Sequence, residues 1–180
     1  IIGSDGLSLY SLIMPTYSLL ITIAQMGFPI SISNLIAKGE KSSKKILFSI
    51  IPISLLINIG IILIVILIAP ILSNNLLNNS DAYYPIVSIA FVIPFISLSS
   101  IIRGYFFGKQ KMMPHTVSNV IEQIVRLLII VFLLPFFMKY GTVVAVIFFI
   151  LFNIISEFIS IVIFLFFAPK GFRIKKEDIK

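Results

Sequence analysis

Two short stretches carry most of the polar chemistry available to this chain. Asn119, Glu122, Gln123 and Arg126 stand at i, i+3, i+4 and i+7, a spacing that gathers them on one side of a helix. Asn153, Ser156, Glu157 and Ser160 repeat the spacing in the next apolar segment. Two carboxylates and an arginine so placed could do three different things. They could lock neighbouring helices through a static ion pair, take a proton or coupling cation at Glu122 or Glu157, or hold an anion at Arg126. Arginine suits the last task because its planar fork meets phosphate through parallel N–H bonds. Gln25, close to Thr22 and to a Gly27–Pro29 break, could line the same space or bond across to another helix. The candidate substrate-binding set is therefore Arg126, Glu122, Gln123, Glu157, Asn153 and Gln25.

The elements that must hold these groups are apolar. Hydrophobic residues make up 59% of the 180 and charged residues 12%, against about half and a quarter in soluble domains. Residues 46–72 and 83–102 contain no charge at all. Roughly 20 such residues cross a hydrocarbon core as a helix. The expected fold class is an all-α integral membrane protein, a bundle of five transmembrane helices at about 9–37, 45–72, 83–107, 114–138 and 142–168. An ionised side chain inside a bilayer costs on the order of 2.5–3.5 kcal/mol, so the charged faces must look at other helices or at a watery cavity. Counting about 1.5 Å per residue, Arg126 lies about 18 Å from Pro114, Glu122 about 12 Å, and Glu157 about 16 Å from Ala168. That count expects Arg126 to be neutralised by Glu157, by Glu122, or by both.

The basic residues speak to sidedness. Twelve of the fourteen Lys and Arg fall in 38–45, 103–111 and 170–180. If these regions share one side, only Lys139 lies opposite, a strong positive-inside pattern. The reading places 38–45, 103–113 and a basic linker at 170–180 in the cytoplasm, with Arg103 counted as a loop charge. Charge confined to short loops also argues against nucleic acid as a partner. Pro15, Pro29, Pro52 and Pro94 interrupt three of the five spans, and such kinks favour a transporter-like bundle over a passive anchor. Gly104 and Gly108 form a GxxxG, a cue for close helix approach. With no cysteine there is no disulfide or thiolate metal site. No P-loop, dinucleotide fingerprint, HExxH or GxSxG occurs. The expectation is a transporter without cofactor, driven by a gradient or running downhill, with its basic loops on the cytoplasmic side of the membrane. The opening Ile-Ile-Gly-Ser-Asp, without Met or leader, suggests that at least one helix precedes it.

The opening IIGSDGLSLYSLIMPTYSLLITIAQMGFPISISNLIAKG and the later block IIRGYFFGKQKMMPHTVSNVIEQIVRLL resemble polysaccharide-biosynthesis flippases, most nearly the stage V sporulation protein B-like group. In the second block the shared pattern is Arg-Gly-Tyr-Phe, a basic loop, a proline, and a helix with Glu-Gln-x-x-Arg. That group sits in the multidrug/oligosaccharidyl-lipid/polysaccharide, MATE-like exporter superfamily. The resemblance implies about fourteen helices in two six-helix lobes plus two, with this chain as helices two to six of the amino-terminal lobe. It implies alternating access and movement of undecaprenyl-linked, anionic cell-wall or polysaccharide precursors. The implied partners are that lipid-linked precursor, membrane lipids, and the first helix and second lobe of the same transporter. Two alternatives stand beside it: a cation-coupled exporter of small amphipathic molecules, and a non-transporting scaffold for wall synthesis.

Overall fold

Away from water, a long apolar run can satisfy its backbone only by bonding to itself, as a helix. The computed structural model describes residues 3–25, 27–39 and 43–167, and these are almost entirely helical. The expected basic linker at 170–180 and residues 40–42 of the first basic connection lie outside the described residues. Helix α1 spans Gly3–Gln25 and α2 spans Phe28–Lys38. Between them Gly27 adopts φ 65°, a left-handed conformation that glycine reaches without a Cβ clash. Pro29 follows in the first turn of α2, where its missing N–H costs nothing. The first apolar run is thus two helices rather than one kinked rod.

Helix α3 runs Ser43–Ile71. It widens after Pro70 into a π-turn at Leu72–Leu76. Asn79 then accepts a 2.9 Å hydrogen bond from the Asp81 N–H and starts a short 3-10 turn at Ser80–Ala82. Helix α4 is Tyr83–Gly108, α5 is Met112–Met138 and α6 is Thr142–Phe167. Tight turns join α4 to α5 and α5 to α6, so those neighbours run antiparallel. Among the described residues, five helical stretches are long and apolar enough to cross a membrane: Gly6–Lys38, Lys45–Leu76, Ser80–Gly108, Met112–Met138 and Thr142–Phe167.

Helix α4 is the hub. It packs against α1, α2, α3 and α6, while α5 lies mainly on α6. Ile86, Ile89, Ala90 and Ile93 of α4 are fully buried against Ile13, Ala24, Val65, Ala69 and Val146. Towards the other end of α4, Ile101 and Phe106 pack with Ile32, Ile36, Leu47 and Phe164. The α2–α4 crossing depends on the two glycines of the GxxxG. A Cβ on Gly104 would stand 3.0 Å from Ile32 Cβ and from the Pro29 backbone. One on Gly108 would stand 2.7 Å from Ile36 Cβ and 2.9 Å from the Ser33 carbonyl oxygen. Buried hydroxyls link α3 to α4, with Ser54 and Ser97 Oγ 2.8 Å apart. The outward faces of α3 and α5 are apolar: Leu56, Leu67 and Phe132 are about 70% exposed (70, 72 and 72%). A surface of that kind is unsuited to water and fits lipid or another packed helix.

Candidate functional site

Helical side chains lean toward the N-terminus of their own helix. On α5 this turns Arg126 back onto Glu122, one turn earlier, and Arg126 Nη2 donates to Glu122 Oε1 at 2.9 Å. On α4, which runs the opposite way, the same lean carries Arg103 away from the 109–111 turn and toward the level of Glu122. Arg103 Nη2 donates to Glu122 Oε2 at 2.8 Å. The same nitrogen stands 3.6 Å from Glu157 Oε2 on α6. The result is a chain of alternating charge, Arg126–Glu122–Arg103–Glu157, drawn from three helices and formally neutral. Glu122 is 3% exposed and Glu157 6%, so both carboxylates are held away from solvent.

One expectation is corrected here and another is narrowed. Arg103 is not a loop charge; it lies within α4 and its guanidinium is engaged with Glu122. Of the partners expected for Arg126, Glu122 is the one it meets; the cationic neighbour of Glu157 is Arg103. Depth counting placed Arg126 and Glu157 at the same level but contained no information on rotation or side-chain lean. The lean of Arg126 takes it down its own helix, and Arg103 fills the space in front of Glu157.

The polar face of α5 divides. Ser118 and Glu122 are buried, Arg126 is half-buried, and Asn119 and Gln123 are exposed. Adjacent helical residues are rotated by about 100°, so 119 and 123 look past the α6 contact that 118 and 122 make. Ser118 seals that contact: its Oγ lies 2.7 Å from Ser160 Oγ and 3.2 Å from the Ser160 carbonyl. Ser118→Ala should lower the melting temperature only slightly, corresponding to about 0.6 kcal/mol, measured by thermal unfolding in detergent. A loss of several kcal/mol would mean that the hydroxyl pair, rather than the charge chain, fastens α5 to α6.

Arg126 also lines a cavity of about 130 Å³ with Tyr10, Met14 and Tyr17 of α1 and Phe149 and Asn153 of α6. Its side chain is 30% exposed, and its Nε has no hydrogen-bond partner among the described residues. Tyr10 rests edge-on against Phe149, with ring centroids 4.6 Å apart. Asn153 donates to the carbonyls of Ile150 and Phe149 at 3.0 and 3.3 Å, which fixes its amide at the wall. The space holds a few waters, at about 30 Å³ each, or one small anionic group. Gln25 closes α1, two turns past Tyr17, and does not line this cavity. The structure therefore gathers Arg126, Glu122, Glu157 and Asn153, and leaves Gln123 and Gln25 apart. It adds Arg103, Tyr10 and Tyr17. The i, i+4, i+7 stripe of Tyr10, Met14 and Tyr17 was the signal for the α1 wall.

Comparison with known proteins adds what geometry cannot. Residues 1–180 match the family described as Polysaccharide biosynthesis protein. Stage V sporulation protein B of Bacillus subtilis (strain 168) is 34% identical over 145 residues, covering 78% of this chain and 28% of that protein. Sporulation protein YkvU of the same organism is 32% identical over 133 residues, 71% of this chain and 28% of the relative. Lipid II flippase MurJ, again of Bacillus subtilis, is 30% identical over 161 residues, 81% and 30%. The chain thus spans less than a third of the length of these relatives. No solved structure matches it. On the match across all of its residues, the chain belongs to the polysaccharide biosynthesis protein family.

Proposed function

We propose that this chain forms part of the amino-terminal lobe of a multi-pass flippase in the bacterial cytoplasmic membrane. Its substrate class would be lipid-linked precursors of wall or surface polysaccharide with an anionic headgroup, and its mode alternating access between two lobes. Family membership and the apolar exteriors of α3 and α5 support the membrane setting. With Arg103 inside α4, the loops and tail that would share one side still hold eleven Lys and Arg, against Lys139 on the other. That favours a cytoplasmic location for 38–45, 109–113 and 170–180.

The observation that carries the substrate reading is the state of Arg126. One end of its guanidinium is held by Glu122, while Nε has no partner and the side chain opens on a cavity walled by tyrosines and an asparagine. A phosphate oxygen arriving there would meet a guanidinium whose bonding capacity Glu122 uses only in part. In the intact gene product, Arg126→Ala is expected to reduce transport about ten- to a hundredfold, the equivalent of losing charge-assisted hydrogen bonds of about 1.5–3 kcal/mol. Arg126→Lys should recover part of it, keeping charge without the fork. The measurement is accumulation of untranslocated lipid-linked precursor in cells relying on each variant. Full transport by a folded Ala variant would reduce Arg126 to a packing residue.

A further inference from the structure

A second hollow lies at the end of the bundle where α3 begins and α4 and α6 end. Its volume is about 230 Å³, and every residue that lines it is aliphatic or aromatic. Phe106 and Phe164, both buried, close its inner side with stacked rings 5.3 Å apart. Leu165, 54% exposed, stands at its rim. The lining runs inward from Tyr105 to Leu98, about 10 Å along α4. An apolar cavity of about 150 Å³ stays dry and takes up benzene, and this one is larger. Opening on an apolar exterior, it forfeits dispersion contacts unless hydrocarbon fills it. It shares no residue with the cavity beside Arg126, and no helix but α6.

Two lysines stand just beyond this crevice, at its aromatic end. Lys45 precedes Phe48 by about one turn of α3. Lys109 follows Tyr105 by one turn of α4, its N–H donating to the Tyr105 carbonyl at 3.1 Å. One turn is about 5.4 Å, within the length of an extended lysine side chain. Both lysines are exposed, and neither joins the ion pairs found among the described residues. An apolar crevice with two such cations at one end matches a molecule with a hydrocarbon chain and an anionic head. We propose that the crevice holds one acyl chain of an anionic phospholipid, whose phosphate meets Lys45 and Lys109. The occupant is a resident lipid of the bilayer and not the transported precursor. A headgroup at Arg126 is held by α1, α5 and α6, whereas the crevice belongs to α3, α4 and α6. The bound chain fills a gap that the side chains of three helices leave, and so fastens this end of the bundle. The proposal rests on the membrane setting proposed above, and not on the substrate.

The test adds phosphatidylglycerol or phosphatidylcholine to the delipidated intact protein in detergent. Bound lipids are counted by native mass spectrometry, and stabilisation is read as a shift in melting temperature. Phosphatidylglycerol should bind more tightly than phosphatidylcholine, by about fivefold for each lysine, and should raise the melting temperature. Lys45→Gln with Lys109→Gln should erase that preference. Leu98→Phe, which fills the crevice, should carry one phosphatidylglycerol fewer than the wild type and lose the thermal gain. Ile51→Phe, from the opposite wall, should do the same and serves if Leu98→Phe does not fold. Equal lipid counts in the wild type and the filled variants overturn the site, and mean that another segment of the protein closes the crevice. A preference for phosphatidylglycerol that survives loss of both lysines overturns the assignment of the headgroup. Recovery of the protein from the cytosol without detergent overturns the membrane setting together with the site.

Discussion

Glu122→Ala is expected to destabilise the bundle by about 3–5 kcal/mol, the cost of removing one partner from a buried ion pair. Glu122 is the only carboxylate in hydrogen-bond contact with Arg103 and Arg126 among the described residues, and it gives each a separate oxygen. Removing it leaves two guanidinium groups close together with no acceptor between them. Arg103 would retain a distant Glu157, and Arg126 would retain only whatever water reaches the cavity. Glu122→Gln should fall between wild type and alanine, because the amide keeps one acceptor oxygen but turns an N–H₂ toward an arginine. Gln123→Ala is the matched control: the neighbouring residue is exposed and should change stability by no more than about 0.5 kcal/mol. Thermal unfolding of the intact protein in detergent, with protease sensitivity beside it, measures all three. A wild-type melt for Glu122→Ala would mean that water satisfies both arginines and that the charge chain contributes nothing to the fold.

Gly108→Val is expected to cost about 1–3 kcal/mol through overpacking and to shift α2 from its seat on α4. The argument is steric. The new Cβ would stand 2.7 Å from Ile36 Cβ and 2.9 Å from the Ser33 carbonyl, and neither a branched Cβ nor a backbone oxygen can swing aside. The sign makes the test sharp, because replacing a helical glycine ordinarily helps by a few tenths of a kcal/mol or more. Gly60→Val on α3, where a Cβ meets nothing within 4 Å, should show that ordinary gain. Equal melting temperatures for the two variants would mean that α2 is not seated by this seam.

Much of the architecture is legible in the sequence because long uncharged runs leave the backbone no alternative to a helix. The five long apolar helices follow from that alone. What runs of hydropathy do not contain is rotation. Glu122 and Gln123 are neighbours in the chain, yet one is buried between helices and the other is exposed. The difference is about 100° of turn, decided by the α5–α6 contact through Ser118 and Ser160. Arg103 escaped for a related reason. It stands near the end of the expected span and is counted with the basic loop that follows, but a long side chain leaning toward its helix N-terminus carries its charge back to Glu122. Of the two partners expected for Arg126, depth could not choose between Glu157 and Glu122, since equal depth is necessary for contact and not sufficient; the structure has Glu122. Gly27 and Pro29 mark a break in the sequence, but only the left-handed glycine shows that the break divides two helices.

The charge chain also imposes an order on assembly. Taken singly, α4 carries one uncompensated positive charge, α6 one negative, and α5 none, because Arg126 and Glu122 cancel one turn apart. In a bilayer, only α5 of these three could partition into lipid without bringing a net charge. A chain synthesised through the end of α5 holds two arginines sharing a single carboxylate, with one charge unbalanced. The arrival of α6 supplies the missing Glu157. A nascent chain that has not yet delivered α6 therefore holds a charge that this bundle leaves unbalanced.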